Sequence, residues 1–142
     1  MIDAIVDIPN GWIVAEPPPG VALVATEPLD RPAPRANLVV TMIDRPAAHD
    51  VESYLDAVLG HLLVDLDDAE LIDAWTNDAG ADQHSERLLL RHSVAGHVVD
   101  TVQQHTWFDD TVVIVTVTAP VDLDPERAAA LVTCLEPRLA PA

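Results

Sequence analysis

Residues 83–119 read QHSERLLLRHSVAGHVVDTVQQHTWFDDTVVIVTVTA, and the fold follows from how this stretch is cut. Apolar, β-branched and aromatic residues run through it, broken by the dipeptides Ala95-Gly96 and Asp109-Asp110. Each dipeptide suits a two-residue hairpin turn, although Asp-Asp is less typical of one than Asp-Gly, so three strands are expected at 83–94, 97–108 and 111–119. If both turns are tight, antiparallel pairing sets Arg91 opposite Asp100, Glu86 opposite His105 and Gln104 opposite Val115. Strand alternation then places Leu89, Val98, Val102, Phe108, Val113, Val115 and Val117 on one face of the meander. Leu88, Leu90, Val99, Trp107, Val112 and Ile114 fall on the other. Both faces are apolar, so something must pack on each.

The flanking sequence supplies two covers. Upstream, Val51, Tyr54, Leu55, Val58, Leu59, Leu62, Leu63 and Leu66 repeat at helical spacing, which predicts a helix over 50–66 with Asp50 as its N-cap. Downstream, Asp122 or Asp124 caps a second helix, and Pro125 fits its first turn. Ala128, Leu131, Val132, Leu135 and Leu139 form its apolar stripe, and Pro137 frays or bends its end. A strand is expected at 70–76, and others at 3–8, 21–26 and 36–44, separated by proline-fixed loops. The Pro17-Pro18-Pro19 run reads as one of these loops in preference to a polyproline ligand. The fold class expected is α+β, an antiparallel β-sheet flanked by helices, with residues 1–142 forming one domain.

Seven Arg and no Lys stand against 17 Asp and 7 Glu, giving a net charge of −17. That charge argues against nucleic acid, whose phosphates are held by Lys and Arg. It argues equally against an anionic membrane surface. The apolar run 112–121 is interrupted by Thr116, Thr118 and Pro120 and is too short to span a bilayer, so no membrane insertion is expected. The first residues show neither the basic region nor the apolar core of a secretory leader, and no lipobox cysteine follows them. The expected location is therefore cytoplasmic. The single cysteine, Cys134, allows no internal disulfide and reads as a buried thiol.

Several local phrases carry a resemblance. The opening Pro9-Asn10-Gly11-Trp12 is one, and the strand Pro34-Arg35-Ala36-Asn37-Leu38-Val39-Val40-Thr41 is another. The acidic helix start Asp50-Val51-Glu52-Ser53-Tyr54-Leu55 and the Thr-x-Thr-x-Pro close of the meander complete the set. In this order they resemble the PsbP-like superfamily, especially its actinobacterial LpqN and DcrB-like branches, over about residues 5–140. The resemblance implies a sheet sandwiched between helices and a domain that binds or scaffolds more often than it catalyses. Its relatives include an extrinsic photosystem subunit, a nuclear import factor and secretion-effector chaperones. LpqN-type proteins are commonly exported lipoproteins, a feature this sequence does not carry, and no catalytic residue transfers from the family.

Chemistry-bearing residues are sparse. Of six histidines, His84, His92, His97 and His105 share one face of the expected meander, while His49 and His61 lie outside it. Only His92 and His97 are near neighbours there, as a diagonal pair, and two imidazoles make a weak metal site. Glu86 and His105 would form an acid–base couple, but no nucleophile or oxyanion donor accompanies them. Ser93 and Asp100 point to the face opposite His92, which breaks a triad, and Arg91–Asp100 reads as a cross-strand ion pair. Scattered glycines form no phosphate cradle, and the acidic run lacks the spacing of a calcium loop.

Trp75 and Trp107 are expected in the core, and Trp12, beside the opening loop, partly exposed. Asp65, Asp67 and Asp68 crowd the end of the first helix. Solvated charge is the ordinary reading of that cluster and a partner-binding patch the functional one. No cofactor is expected. The sequence points to a non-enzymatic binding or scaffold domain, a secretion-related chaperone or adaptor for a basic protein partner, with Trp12, Asp65, Asp67 and Asp68 as candidate contacts. The alternative is a small-ligand or metal-binding domain using the histidine face. The first or the last strand of the meander would offer a free edge, through which a homodimer could pair.

Overall fold

The turn at Ala95-Gly96 sets the register of the sheet. Both residues have positive φ, 49° and 81°, the geometry of a type I′ turn, whose twist matches that of the strands it joins. In the computed structural model, residues 4–28, 30, 35–44, 51–77, 84–108, 110–123, 125–135 and 137–139 are described. The strands are β1 (Ala4–Ile5), β2 (Ile13–Ala15), β3 (Leu23–Thr26), β4 (Asn37–Asp44), β5 (Asp67–Asn77), β6 (His84–Val94), β7 (His97–Trp107), β8 (Thr111–Pro120) and β9 (Arg138–Leu139). Helix α1 spans Val51–Asp65 and α2 spans Pro125–Thr133.

A seven-stranded antiparallel sheet runs in the order β2-β3-β4-β8-β7-β6-β5, and β1 pairs with β9 as a separate ribbon. Arg91 lies opposite Asp100, Glu86 opposite His105 and Gln104 opposite Val115, as the two short turns require. At the second turn Phe108 N–H donates to the Thr111 carbonyl at 2.8 Å. Strand β8 sits in the middle, between β4 and β7, which explains why its sequence is apolar on both faces.

Each face has its own cover. On one side Leu38, Val40, Val113, Val115 and Val117 pack with Phe108 and with Leu131, Cys134 and Leu135 from α2 and the turn after it. On the other side Tyr54 of α1 stands edge-on to Trp107, with ring centroids 5.1 Å apart, above buried Leu88, Leu90, Val99 and Val112. Fully burying one such Val or Leu stabilises the fold by roughly 1.5–3 kcal/mol, so these two layers dominate its stability.

Several expectations need correction. Neither the first nor the last strand of the meander is an edge, because β5 pairs with β6 and β4 with β8; the edges are β2 and β5. Strand β2 is unforeseen, being only three residues between the Asn10-Gly11 turn and the prolines. Strand β1 covers only Ala4–Ile5 of the span 3–8, and Val6 and Ile8 pack on the core outside any strand. Helix α2 ends at Thr133, and Leu139 belongs to β9 and not to the helix. A residue before proline is driven out of helical geometry, so Pro137 turns the chain away. Val132 and Leu63 are exposed, off the buried stripes assigned to them. Asp50, Asp109 and Asp124, expected at a cap or turn, and His49 lie outside the described residues.

Candidate interaction surface

The histidine face forms as alternation demands, but its members are held apart by separate partners. His84 Nε2 lies 2.8 Å from Glu86 Oε1. His105, 1% exposed, is enclosed beneath α1. Its Nε2 lies 2.7 Å from Gln103 Oε1, which can only accept, so Nε2 carries the proton. Nδ1 therefore accepts from the Tyr54 hydroxyl at 2.9 Å, and Gln103 Nε2 donates onward to Thr116 Oγ1 at 3.1 Å. Burial pushes His105 down to about 4 and Tyr54 up to about 12, so both are neutral at pH 7. His92 is buried, 2.6 Å from Thr101 Oγ1, and burial lowers its pKa too, while His97 is exposed beside the turn.

This is a polar layer satisfied under a helix. Glu86 stands opposite His105 in register, yet it bonds His84, and both His105 nitrogens are engaged elsewhere, so the expected acid–base couple is not assembled. Among the described residues no three His, Cys, Asp or Glu side chains gather as a metal site would require. Cys134 is buried, its Sγ donates to the Leu131 carbonyl at 2.9 Å, and burial pushes the thiol up to about 11, which keeps it protonated at pH 7. Arg91 and Asp100 form the expected cross-strand pair, 2.8 Å apart on exposed surface.

The outer edge of the sheet has a different character. Asp65 ends α1, and Asp67 and Asp68 begin β5; all three are exposed. Asp68 has φ of 52°, a left-handed conformation that Asp tolerates better than most residues, and it lies in the first of two irregularities of β5. The second leaves Ile72 without an opposite residue, between the pairs Leu71–Leu90 and Asp73–Leu89. Such bulges twist an edge strand and discourage edge-to-edge association. What β5 then presents is its side chains: Leu71, Ile72 and Trp75 are exposed, alternating with Glu70 and Asp73. Leu63 and Val64, in the last turn of α1, are exposed just before the chain enters this edge, Val64 by 82%.

Trp75 is thus not a core residue. It is 40% exposed and carries the Arg87 guanidinium 5.4 Å from its ring centroid, while Trp107 is buried as expected. Trp12 is half-buried, packed against the core cluster at a cleft beside α2. Leu71, Ile72 and Trp75 were not legible as surface residues. The signal available was the acidic spacing Asp67, Asp68, Glu70, Asp73, since carboxylates along a strand mark an edge.

A sheet of this order with a helix on each face is a PsbP-like α+β fold. LpqN of Mycobacterium tuberculosis, involved in cell envelope biogenesis, superposes with a TM-score of 0.73 at 13% identity, covering 99% of this chain and 85% of that one. The cyanobacterial PsbP of Synechocystis gives 0.69 at 18% identity, covering 98% and 92%. PA94 of Pseudomonas aeruginosa, a protein of unknown function, gives 0.67 at 17% identity, covering 96% and 97%. No family model and no curated protein matches the sequence. Among the described residues no helix is long and apolar enough to cross a membrane.

Proposed function

We propose that this chain is a non-enzymatic binding domain that takes a basic protein partner on the corner formed by the end of α1 and strand β5. One observation carries the reading. Five large apolar side chains, Leu63, Val64, Leu71, Ile72 and Trp75, are exposed there within one stretch that also holds Asp65, Asp67, Asp68, Glu70 and Asp73. Exposed apolar side chains set among charges are the pattern of an interaction site, and Trp is among the side chains that anchor one. Carboxylates around the anchors favour a partner rich in Lys or Arg, and they repel a second copy of the same acidic edge.

Capture of partners from the native host over a salt series tests this, using the wild type and a Trp75→Ala/Ile72→Ser variant. The expected result is a basic partner whose retention falls with salt and is lost in the variant. Retention unaffected by either change would overturn the reading. Self-association through β5, seen as a dimer in sedimentation, would replace the basic partner with a second copy.

A further inference from the structure

The two ends of the sheet differ in how they meet a further strand. β5 carries two irregularities and a row of carboxylates, both of which discourage strand addition. At the other end β2 pairs with β3 in unbroken register, Ile13 with Thr26, Val14 with Ala25 and Ala15 with Val24. Residues 8–15 include no charged side chain, and Ile13, Val14 and Ala15 are all exposed, Val14 by 56%.

The backbone of β2 has a definite polarity across the strand. Alternate residues of an antiparallel strand turn their N–H and C=O to opposite sides. Glu27 N–H donates to the Ala36 carbonyl at 3.0 Å, one step beyond the pair Thr26–Asn37, so Ala25 and Leu23 also direct their backbone groups to β4. Thr26 and Val24 direct theirs to β2, where Ile13 and Ala15 meet them. Val14, between those two, turns its N–H and C=O away from β3, to the outer side of the last strand in the sheet. A strand laid there finds one donor and one acceptor on Val14. The Asn10-Gly11 turn and Pro17 confine such a ladder to residues 12–16.

Charge selects the occupant. A second copy brings another −17, whereas a segment carrying Lys or Arg is drawn in by the field of the chain and meets exposed Glu16 at the end of β2. We propose that β2 is a strand-addition site for an extended segment of a protein partner, apolar at its centre and flanked by Lys or Arg, which pairs along residues 12–16. Main-chain bonds hold such a segment, and its side chains alternate between the two faces of the sheet. The site is at the opposite end of the sheet from β5 and does not rest on the reading of that corner.

Titration of the 15N-labelled full chain with acetyl-Lys-Val-Thr-Val-Lys-amide tests the site. The expected result is saturable shifts at residues 12–16 and slowed hydrogen exchange of the Val14 amide. Two altered peptides separate charge from backbone pairing, one with Glu in place of both Lys and one N-methylated at its three central residues. Each is expected to bind about tenfold more weakly or worse, the scale of one lost hydrogen bond or charge contact. Val14→Pro removes the outward donor and should weaken the parent peptide by a similar factor, since an edge strand tolerates proline where the N–H faces out. The altered peptides test the same bonds on the unaltered chain. Trp75→Ala/Ile72→Ser should leave the titration unchanged, whatever it does to capture at β5. No saturation at tens of millimolar, equal binding of either altered peptide, or loss of binding in the β5 variant would overturn the proposal. A dimer of the free chain in sedimentation that is lost in Val14→Pro would also overturn it, by placing a second copy at β2.

Discussion

Strands β8 and β5 belong to one sheet and are nearly equal in length, ten and eleven residues, yet they do opposite things. In β8 Val112, Val113, Val115, Val117 and Ala119 are buried, because it has a strand on each side and helices over the sheet on both faces. In β5 residues 70–76 are all exposed, because it has one neighbouring strand, two irregularities and carboxylates between its apolar side chains. The middle of the sheet supplies stability, and the edge supplies surface. The edge can therefore change in sequence without disturbing the fold, which is shared with neighbours only 13–18% identical to this chain.

The largest effect expected from this contrast is in the core. Leu38, wholly buried on β4 against β8, should lose roughly 2–5 kcal/mol of stability on substitution by Ala. Leu71→Ala on β5 should cost under about 1 kcal/mol, since little of its surface is removed from water. Denaturant midpoints at equal slope measure both, and equal losses would erase the distinction between middle and edge.

Next is the ion pair that ties α2 to the end of β3. Arg127→Met removes the guanidinium paired with the buried Glu27 carboxylate and should cost about 3 kcal/mol. Glu27→Gln/Arg127→Met should recover part of that loss in thermal or denaturant unfolding. A single substitution as mild as an edge mutation would place α2 outside the stabilising layer.

The buried imidazole gives a pH signature of similar or smaller size. His105 titrates near 6.5 in an unfolded chain and is pushed down to about 4 by burial, so the unfolded state binds more protons between those values. Stability contributed by the neutral ring is present above pH 6.5 and is lost as pH falls toward 4, by up to roughly 3 kcal/mol. Carboxylates titrate in the same range, so the readout is the difference between wild type and His105→Gln across pH 4–7. That difference should change with pH in this window, and a flat difference would mean His105 is more solvated than its place beneath Tyr54 implies.

The smallest stability effect belongs to the proposed contact surface. Ile72→Ser, at a bulge on the edge, should shift stability by no more than about 0.5 kcal/mol while weakening partner retention. Substantial destabilisation would show that β5 is held by its side chains and not only by its ladder with β6.

The central half of this picture was legible in the sequence because two short turns leave one register, and register assigns every side chain of the meander to a face. Arg91 opposite Asp100 and the shared face of four histidines follow from that alone. The periphery was not legible. Which strand ends the sheet depends on long-range pairing of β4 with β8, and no local pattern in Asn37–Asp44 announces its partner. Trp75 was assigned inward because aromatic residues are usually buried, and only its place on an edge strand reverses that. Asp65, Asp67 and Asp68 were visible as exposed charge. The apolar side chains beside them took on meaning only with β5 placed at the edge of the sheet and exposed among the described residues.

The most direct test of the account places a photoreactive side chain at Ile72 on β5 and, as control, at exposed Ala129 on α2, and cross-links in the native host. The account predicts that a basic protein is captured from position 72, with a yield that falls as salt is raised, and not from position 129. Equal capture at the two positions, or capture at 72 that ignores salt, would contradict it.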